Sequence, residues 1–186
     1  MEFFEEANRL FNLQKYEEAI EFYDKAISHE PDHSTAYYQK GYCFQELQKY
    51  EEAIKCYEKS LSLKPDDPEA YRMKGVSLHR LGRFKEAIDC FDSAFSRDPD
   101  NVEVLYWKGD CLTKLQRYEE AIGCCDQAIS IDPSIINTHG KKAGSLRQLG
   151  RFEEAIACCE TILSLKPDEI NAHGIKGECQ IQLQNY

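Results

Sequence analysis

The chain has 186 residues, of which 42% are hydrophobic and 11% aromatic, and a formal net charge of −10. That apolar content supports a packed core and excludes wholesale disorder. The negative charge argues against a nucleic-acid interface, which needs a basic surface, and against docking on anionic lipid. No apolar run is long enough to span a membrane, and Met1-Glu2-Phe3-Phe4-Glu5-Glu6 lacks the basic start of a secretory leader.

In chain order, the first strong signal is Tyr16, Ala19, Ile20, Tyr23, Ala26 and Ile27. Their i, i+3, i+4, i+7 spacing predicts one apolar stripe on a helix. Glu17 and Glu18 lie in its first turn, where carboxylates favour the helix dipole. Pro31 ends it. This element is designated helix B. A second helix, helix A, is predicted over roughly Ser34 to Leu47, with Ala36, Tyr37, Gly41, Phe44 and Leu47 inward. The predicted link to the next helix B is Gln48-Lys49-Tyr50, short enough to force antiparallel packing.

The pattern then returns. Tyr-Glu-Glu-Ala-Ile at Tyr16, Tyr50 and Tyr118, with variants at Phe84 and Phe152, recurs every 34 residues, and Tyr186 continues the series. A fixed period of this size indicates a repeat architecture. Prolines recur at Pro31, Pro65, Pro99, Pro133 and Pro167. Helix A carries small residues at Ala7, Gly41, Gly75, Gly109, Ala143 and Gly177, which a close backbone approach of A to B accounts for. Asp67 and Asn101 are placed to cap their helices; Ile135 stands at the matching position, so Ser134 is expected to cap one residue early. A two-repeat alternation runs through Cys43, Ser77, Cys111, Ser145 and Cys179, and through the turns Gln48, Gly82, Gln116 and Gly150. Glycine suits a left-handed residue, so the turns at Gly82 and Gly150 are expected to be the tighter ones.

The 34-residue length, paired helices, small residues and closing proline resemble the tetratricopeptide repeat over essentially the whole chain. The resemblance implies an all-α fold: an α-solenoid, a right-handed superhelix of antiparallel helix pairs. It divides residues 1–186 into a single array of repeats 1–33, 34–67, 68–101, 102–135 and 136–169, with a partial sixth repeat (helix A) at 170–186. It further implies a concave groove lined mainly by A helices.

Several columns invite chemistry. The nine cysteines lie inside apolar-periodic segments, which fits reduced thiols in a cytoplasmic protein better than a disulfide framework. Cys56, Cys90, Cys124 and Cys158 recur at one helix B position. Stacked equivalents lie about 10 Å apart, too far to share one zinc ion, so packing is the preferred reading and neither metal nor cofactor is expected. His139 and His173 fall in the column of Tyr37 and Tyr71 and are read as packed at the A–B seam. Lys40, Lys74, Lys108, Lys142 and Lys176 form another column. They would make either a positive stripe for an acidic ligand or, preferred, snorkelling side chains with ammonium groups in water. No nucleophile–histidine arrangement or phosphate loop is present, so an enzyme is not expected.

Function is then sought on the helix A face that does not repeat. The resemblance places groove positions at the second, fifth, ninth, twelfth and thirteenth places of each helix A. There the chain presents Asn8, Tyr38, Tyr42, Arg72, Val76, His79, Arg80, Tyr106, Lys114 and Arg147, with a bare stretch at Gly140 and Gly144 that leaves room for a bulky side chain. Aromatics and arginines on such a surface are what binding hot spots use. The relatives that hold chaperone C-terminal tails pair Lys with Asn at the fifth and ninth places, and no repeat here does so. The expected function is a scaffold that binds a peptide or helix of a partner protein, with no nucleic acid and no membrane. Self-assembly through terminal repeats, as a homo-oligomer formed by the C-terminal helix, and a recognition arm of a longer enzyme or regulator are the alternatives.

Overall fold

The computed structural model describes residues 2–185 and forms eleven α-helices among them, with no strand. Tyr186, where the series of aromatics ends, lies outside the described residues. Contacts divide the chain into two compact units, Met1–Pro99 and Asp100–Tyr186. The first unit holds α1 (Glu2–Asn12), α2 (Tyr16–His29), α3 (Ser34–Glu46), α4 (Tyr50–Leu63), α5 (Pro68–Arg80) and α6 (Phe84–Phe95). The second holds α7 (Val102–Lys114), α8 (Tyr118–Ile131), α9 (Ile136–Gln148), α10 (Phe152–Leu165) and α11 (Ile170–Gln184). The fold class is all-α, of the α-solenoid type, and within each unit consecutive helices pack as antiparallel pairs.

The A-to-B link is one residue earlier than the sequence pattern suggests. Leu47 closes α3 with φ −79 and ψ 6, Gln48 takes φ 58, and Tyr50 is already the first residue of α4. The turn is a Schellman motif: Lys49 N–H donates to Phe44 O at 2.8 Å, and Gln48 N–H to Gln45 O at 2.9 Å. The glycine turns are not tighter. Gly82 and Gly150, both at φ 74, make the same two bonds at 2.9 and 3.0 Å and at 3.1 and 2.9 Å. Gln14 and Gln116 adopt the left-handed conformation too, at φ 58 and 60. The motif fixes the backbone, and three glutamines accept the strain.

At Gly41 and Gly75 the small residue makes room for a ring. A Cβ built on Gly41 would fall 2.8 Å from Cε1 of Tyr57, and one on Gly75 would fall 2.7 Å from Cε1 of Phe91. Tyr57 and Phe91 are fully buried. At Gly109 the nearest atoms are at 3.6 Å, in keeping with Cys125 standing in the position that Tyr57 and Phe91 hold earlier. The first unit is cored on Ala7, Leu10, Ala19 and Tyr23 and then on Ala53, Tyr57 and Met73. The second is cored on Ala143, Cys159, Ile162 and Ala172 and on Ile122, Leu146, Ala155 and Cys179.

Helix starts follow local chemistry. Asp67 Oδ1 accepts from the Glu69 and Ala70 amides at 3.2 and 3.3 Å, and Asn101 Oδ1 from Val104 at 3.3 Å. His33 caps α3 through Nδ1, which accepts from the Ala36 amide at 3.3 Å. Ser134 does not cap α9. Its amide and hydroxyl are both held by Asp132 Oδ1, at 2.9 and 2.7 Å, and Ile135 occupies the cap position with no side-chain bond.

Candidate functional site

The columns assigned to packing come first. All nine cysteines are free thiols, and every one except half-buried Cys158 is buried. Burial pushes the thiols of Cys43, Cys111 and Cys125 up to about 12 and those of Cys56, Cys90 and Cys159 to about 11. They are small apolar fillers in the neutral form. His139 is packed, 7% exposed, with Nε2 2.9 Å from Pro133 O. His173 makes the same bond to Pro167 O at 2.8 Å but is exposed, contrary to the packed position its column suggests, because the α11 surface around it is open.

Four lysines of the column pair with carboxylates, so their ammonium groups are not simply solvated tips. Lys40 pairs with Asp24 at 2.5 Å, Lys74 with Glu58 at 2.9 Å, Lys142 with Asp126 at 2.6 Å and Lys176 with Glu160 at 2.8 Å. Each pair joins a helix A to the helix B of the preceding repeat. Sequence reasoning missed this although the acidic partners form a 34-residue column of their own.

The two-repeat alternation also has a physical basis. The buried Ser77 hydroxyl has two acceptors for its one proton, Gln45 Oε1 at 2.8 Å and Met73 O at 3.1 Å. Buried Ser145 lies 3.4 Å from Thr113 Oγ1. A serine therefore appears where the preceding repeat offers Gln45 or Thr113 as a partner.

In the first unit, the proposed groove residues are largely tied to one another. The Asn8 carboxamide oxygen accepts from the Tyr23 hydroxyl at 2.7 Å. Tyr38 packs 5.7 Å from the Tyr57 ring and its hydroxyl reaches Glu69 Oε1 at 3.4 Å. Burial, followed by the Glu69 charge, holds the Tyr38 phenol above its ordinary range. Arg72 Nε donates to Glu69 Oε2 at 2.8 Å, and only 15% of its side chain is exposed. Tyr42 meets Phe11 edge-on at 5.3 Å, and burial, followed by the Glu46 charge, holds its phenol above the ordinary range. Tyr38 and Arg72 thus gather around Glu69. His79 lies edge-on to Phe84 at 5.4 Å, Arg80 is exposed, and Val76 is buried instead of lining the surface.

In the second unit the corresponding face is more open. Lys141 sits 4.5 Å over the Tyr106 ring and pairs with Asp110. Arg147 pairs with Glu178, and Lys114 is exposed. Between them the face is recessed. A Cβ on Gly140 would meet only Ile162 Cδ1 at 3.9 Å, and one on Gly144 would meet nothing within 4 Å. A cavity of about 380 Å³ opens there, lined by Tyr106, Asn137, Gly140, Ile162, Asn171 and Ile175 among others. Asn171 and Ile175, on the partial repeat, were not among the sequence candidates. Their signal was the carboxamide that recurs from Asn137 to Asn171. No group of side chains able to hold a metal ion exists among the described residues, and no helix there is long and apolar enough to cross a membrane.

Family models described as the tetratricopeptide repeat match residues 2–33, 34–67 and 136–169, and a model described as anaphase-promoting complex, cyclosome, subunit 3 matches residues 52–128. Comparison with curated proteins gives no match. Among solved structures, YrrB, a repeat protein "with an unusual peptide-binding site", is 24% identical, with 94% of this chain and 90% of that chain covered and a TM-score of 0.85. An RS-1 MamA double mutant is 21% identical, with 90% and 94% covered and a TM-score of 0.86. MamA from Desulfovibrio magneticus RS-1 is 20% identical, with 90% and 95% covered and a TM-score of 0.85. At these identities the likeness speaks to fold. The helix pairs, the ring-against-glycine packing and the three matching repeat models agree, and the chain belongs to the tetratricopeptide repeat family.

Proposed function

We propose that the protein is a non-catalytic interaction scaffold that holds an extended segment or a helix of a partner protein against the variable faces of its A helices. The observation that carries this reading is the recess at Gly140, a pocket with an apolar floor at Ile162 and Ile175 and exposed carboxamides at Asn137 and Asn171 on its rim. Carboxamides offer both donor and acceptor to a peptide backbone, and an apolar floor accepts a side chain. The packing columns repeat while this face does not, as specific recognition requires. Tyr38 and Arg72, joined through Glu69, form a second, pre-ordered patch in the first unit; Tyr42 shares α3 with Tyr38, His79 and Arg80 share α5 with Arg72, and Asn8 lies on α1. The peptide-binding site ascribed to YrrB supports the reading as an analogy of fold.

The test is selection of peptides from a display library on the intact chain, followed by binding to Gly140→Leu. Gly140 lines the recess and a Cβ there meets nothing nearer than Ile162 Cδ1 at 3.9 Å, so the substitution is aimed at filling the recess from its wall. Selected peptides should lose about tenfold or more in affinity. Peptides that bind Gly140→Leu as well as the parent would remove the basis of the reading.

Self-association is a second reading, favoured by Ile170 and Ile181, which are 82% and 59% exposed on α11. Sedimentation over a range of concentrations tests it: a mass that rises with concentration and is held at monomer by Ile170→Lys with Ile181→Lys supports it, and a constant monomer mass removes it.

A further inference from the structure

Among the described A helices with a cap residue, α9 is the one that starts behind an apolar residue; α11, behind Glu169, also lacks a side-chain cap bond. At the cap position of α5 and α7 stand Asp67 and Asn101, each accepting backbone amides. Ile135 stands at that position in α9 and makes no such bond. An apolar cap costs about 1 kcal/mol. A local rule broken without a local gain marks a place where another demand prevails.

Ile135 forms part of a second recess in the same unit, about 350 Å³, with Val102, Tyr106, Trp107, Asn137 and Thr138. Tyr106 and Trp107 meet edge to face, with centroids 5.6 Å apart and planes at 80°. The Trp107 indole N–H donates to Glu103 Oε1 at 3.2 Å, which holds the ring in place. Thr138 is 1% exposed, and its Oγ1 is buried with no hydrogen-bond partner among the described residues. A buried hydroxyl left unsatisfied is costly and calls for an explanation. Threonine in a helix populates two χ1 wells, so the hydroxyl can turn into the recess its side chain borders.

We propose that this recess is the seat for a tyrosine side chain of the partner segment, an inference that rests on the scaffold reading above and names what the scaffold recognises. The volume is at the lower end of ligand sites, about 300–1,000 Å³, and suits one side chain. The aromatic pair and Ile135 line an open recess, and aromatic walls favour an aromatic guest laid against them. A phenol hydroxyl is both donor and acceptor and satisfies Thr138, which an aliphatic guest or phenylalanine leaves unpaired. The Glu103 carboxylate beside Trp107 repels a phosphate, so phosphorylation of that tyrosine abolishes the fit.

Trp107 is the chain's one tryptophan, so its indole N–H gives a single nuclear magnetic resonance signal that reports on this recess. The probes are N-acetyltyrosinamide, N-acetylphenylalaninamide and N-acetyl-O-phosphotyrosinamide, titrated into the intact protein. The tyrosine probe should shift the signal saturably, the phenylalanine probe about tenfold more weakly, and the phosphorylated probe not at all. Thr138→Val should erase the difference between the first two. A silent indole signal, or equal binding of the tyrosine and phosphotyrosine probes by the unsubstituted protein, overturns the proposal even if Thr138→Val fails to fold. The capped probes do not need the rest of the face. Probe binding without any selected peptide sinks the scaffold reading and leaves the recess standing. Selected peptides that bind without moving the Trp107 signal do the reverse.

Discussion

Lys40 and Asp24 stand 2.5 Å apart across sixteen residues of sequence, and the pair ties α3 to α2. Lys74 with Glu58, Lys142 with Asp126 and Lys176 with Glu160 repeat the arrangement. The lysine side chains are 18%, 22%, 24% and 27% exposed while their partners are about half exposed, so the ammonium is the more sheltered member. For Lys142, burial works against the charge, and the Asp126 hydrogen bond and charge outweigh it, so the amine is held above its ordinary range.

These pairs predict a modest, salt-sensitive coupling between repeats. A double-mutant cycle with Lys74→Met and Glu58→Gln should give a coupling of about 0.2–1 kcal/mol, shrinking in high salt. The measurement is denaturant unfolding of all four proteins. A zero coupling at low salt would return Lys74 to the role of a solvated side chain.

Glycine replacements should differ in sign by position. Gly75→Ala forces a Cβ to 2.7 Å from the buried Phe91 ring and should destabilise by about 1–3 kcal/mol. Gly109→Ala meets nothing nearer than 3.6 Å and should stabilise by up to about 1 kcal/mol through helix propensity. Thermal melting of the two variants checks the pair.

The left-handed glutamines carry strain that glycine relieves. Gln48→Gly and Gln116→Gly, at φ 58 and 60, should each raise stability by about 1 kcal/mol, and Gly82→Ala, at φ 74, should lower it by a similar amount. Midpoints of urea unfolding with unchanged slope report the difference.

The thiols give an alkaline limit. Burial raises the Cys43 and Cys111 pKa from 9.0 to about 12 in the folded protein. The unfolded chain therefore loses those protons first. Stability from these groups is complete below pH 9.0 and falls as pH climbs toward about 12. At neutral pH an alkylating reagent should label half-buried Cys158 ahead of the others, with the rest reacting only on unfolding. Mass spectrometry of a timed labelling course settles the order.

The repeat fold was legible because its determinants are periodic: the aromatic, the alanine and the small residue return in register, and the helices start at Ser34, Pro68, Val102, Ile136 and Ile170. Less legible were features that depend on a neighbour out of register. Nothing about glutamine announces φ 58 at Gln48, because the Schellman bonds of Lys49 and Gln48 impose it. Arg147 read as a hot-spot residue until folding sets Glu178, from another helix, beside it, whereas the Arg72–Glu69 pair, three residues apart on one helix, was there to be read. The absence of side chain at Gly140 and Gly144 was visible in sequence, whereas the recess needs Ile162 and Ile175 from other helices to give it a floor. Ile135 was visible as a poor cap, but the cavity that uses it was not.

The most direct test of the account is calorimetric titration of one display-selected peptide into the parent chain and into Gly140→Leu, with both melting temperatures recorded. The account predicts saturable binding to the parent, a loss of about tenfold or more in Gly140→Leu, and a Gly140→Leu melting temperature no lower than the parent's. Equal affinity for the two folded proteins would contradict it.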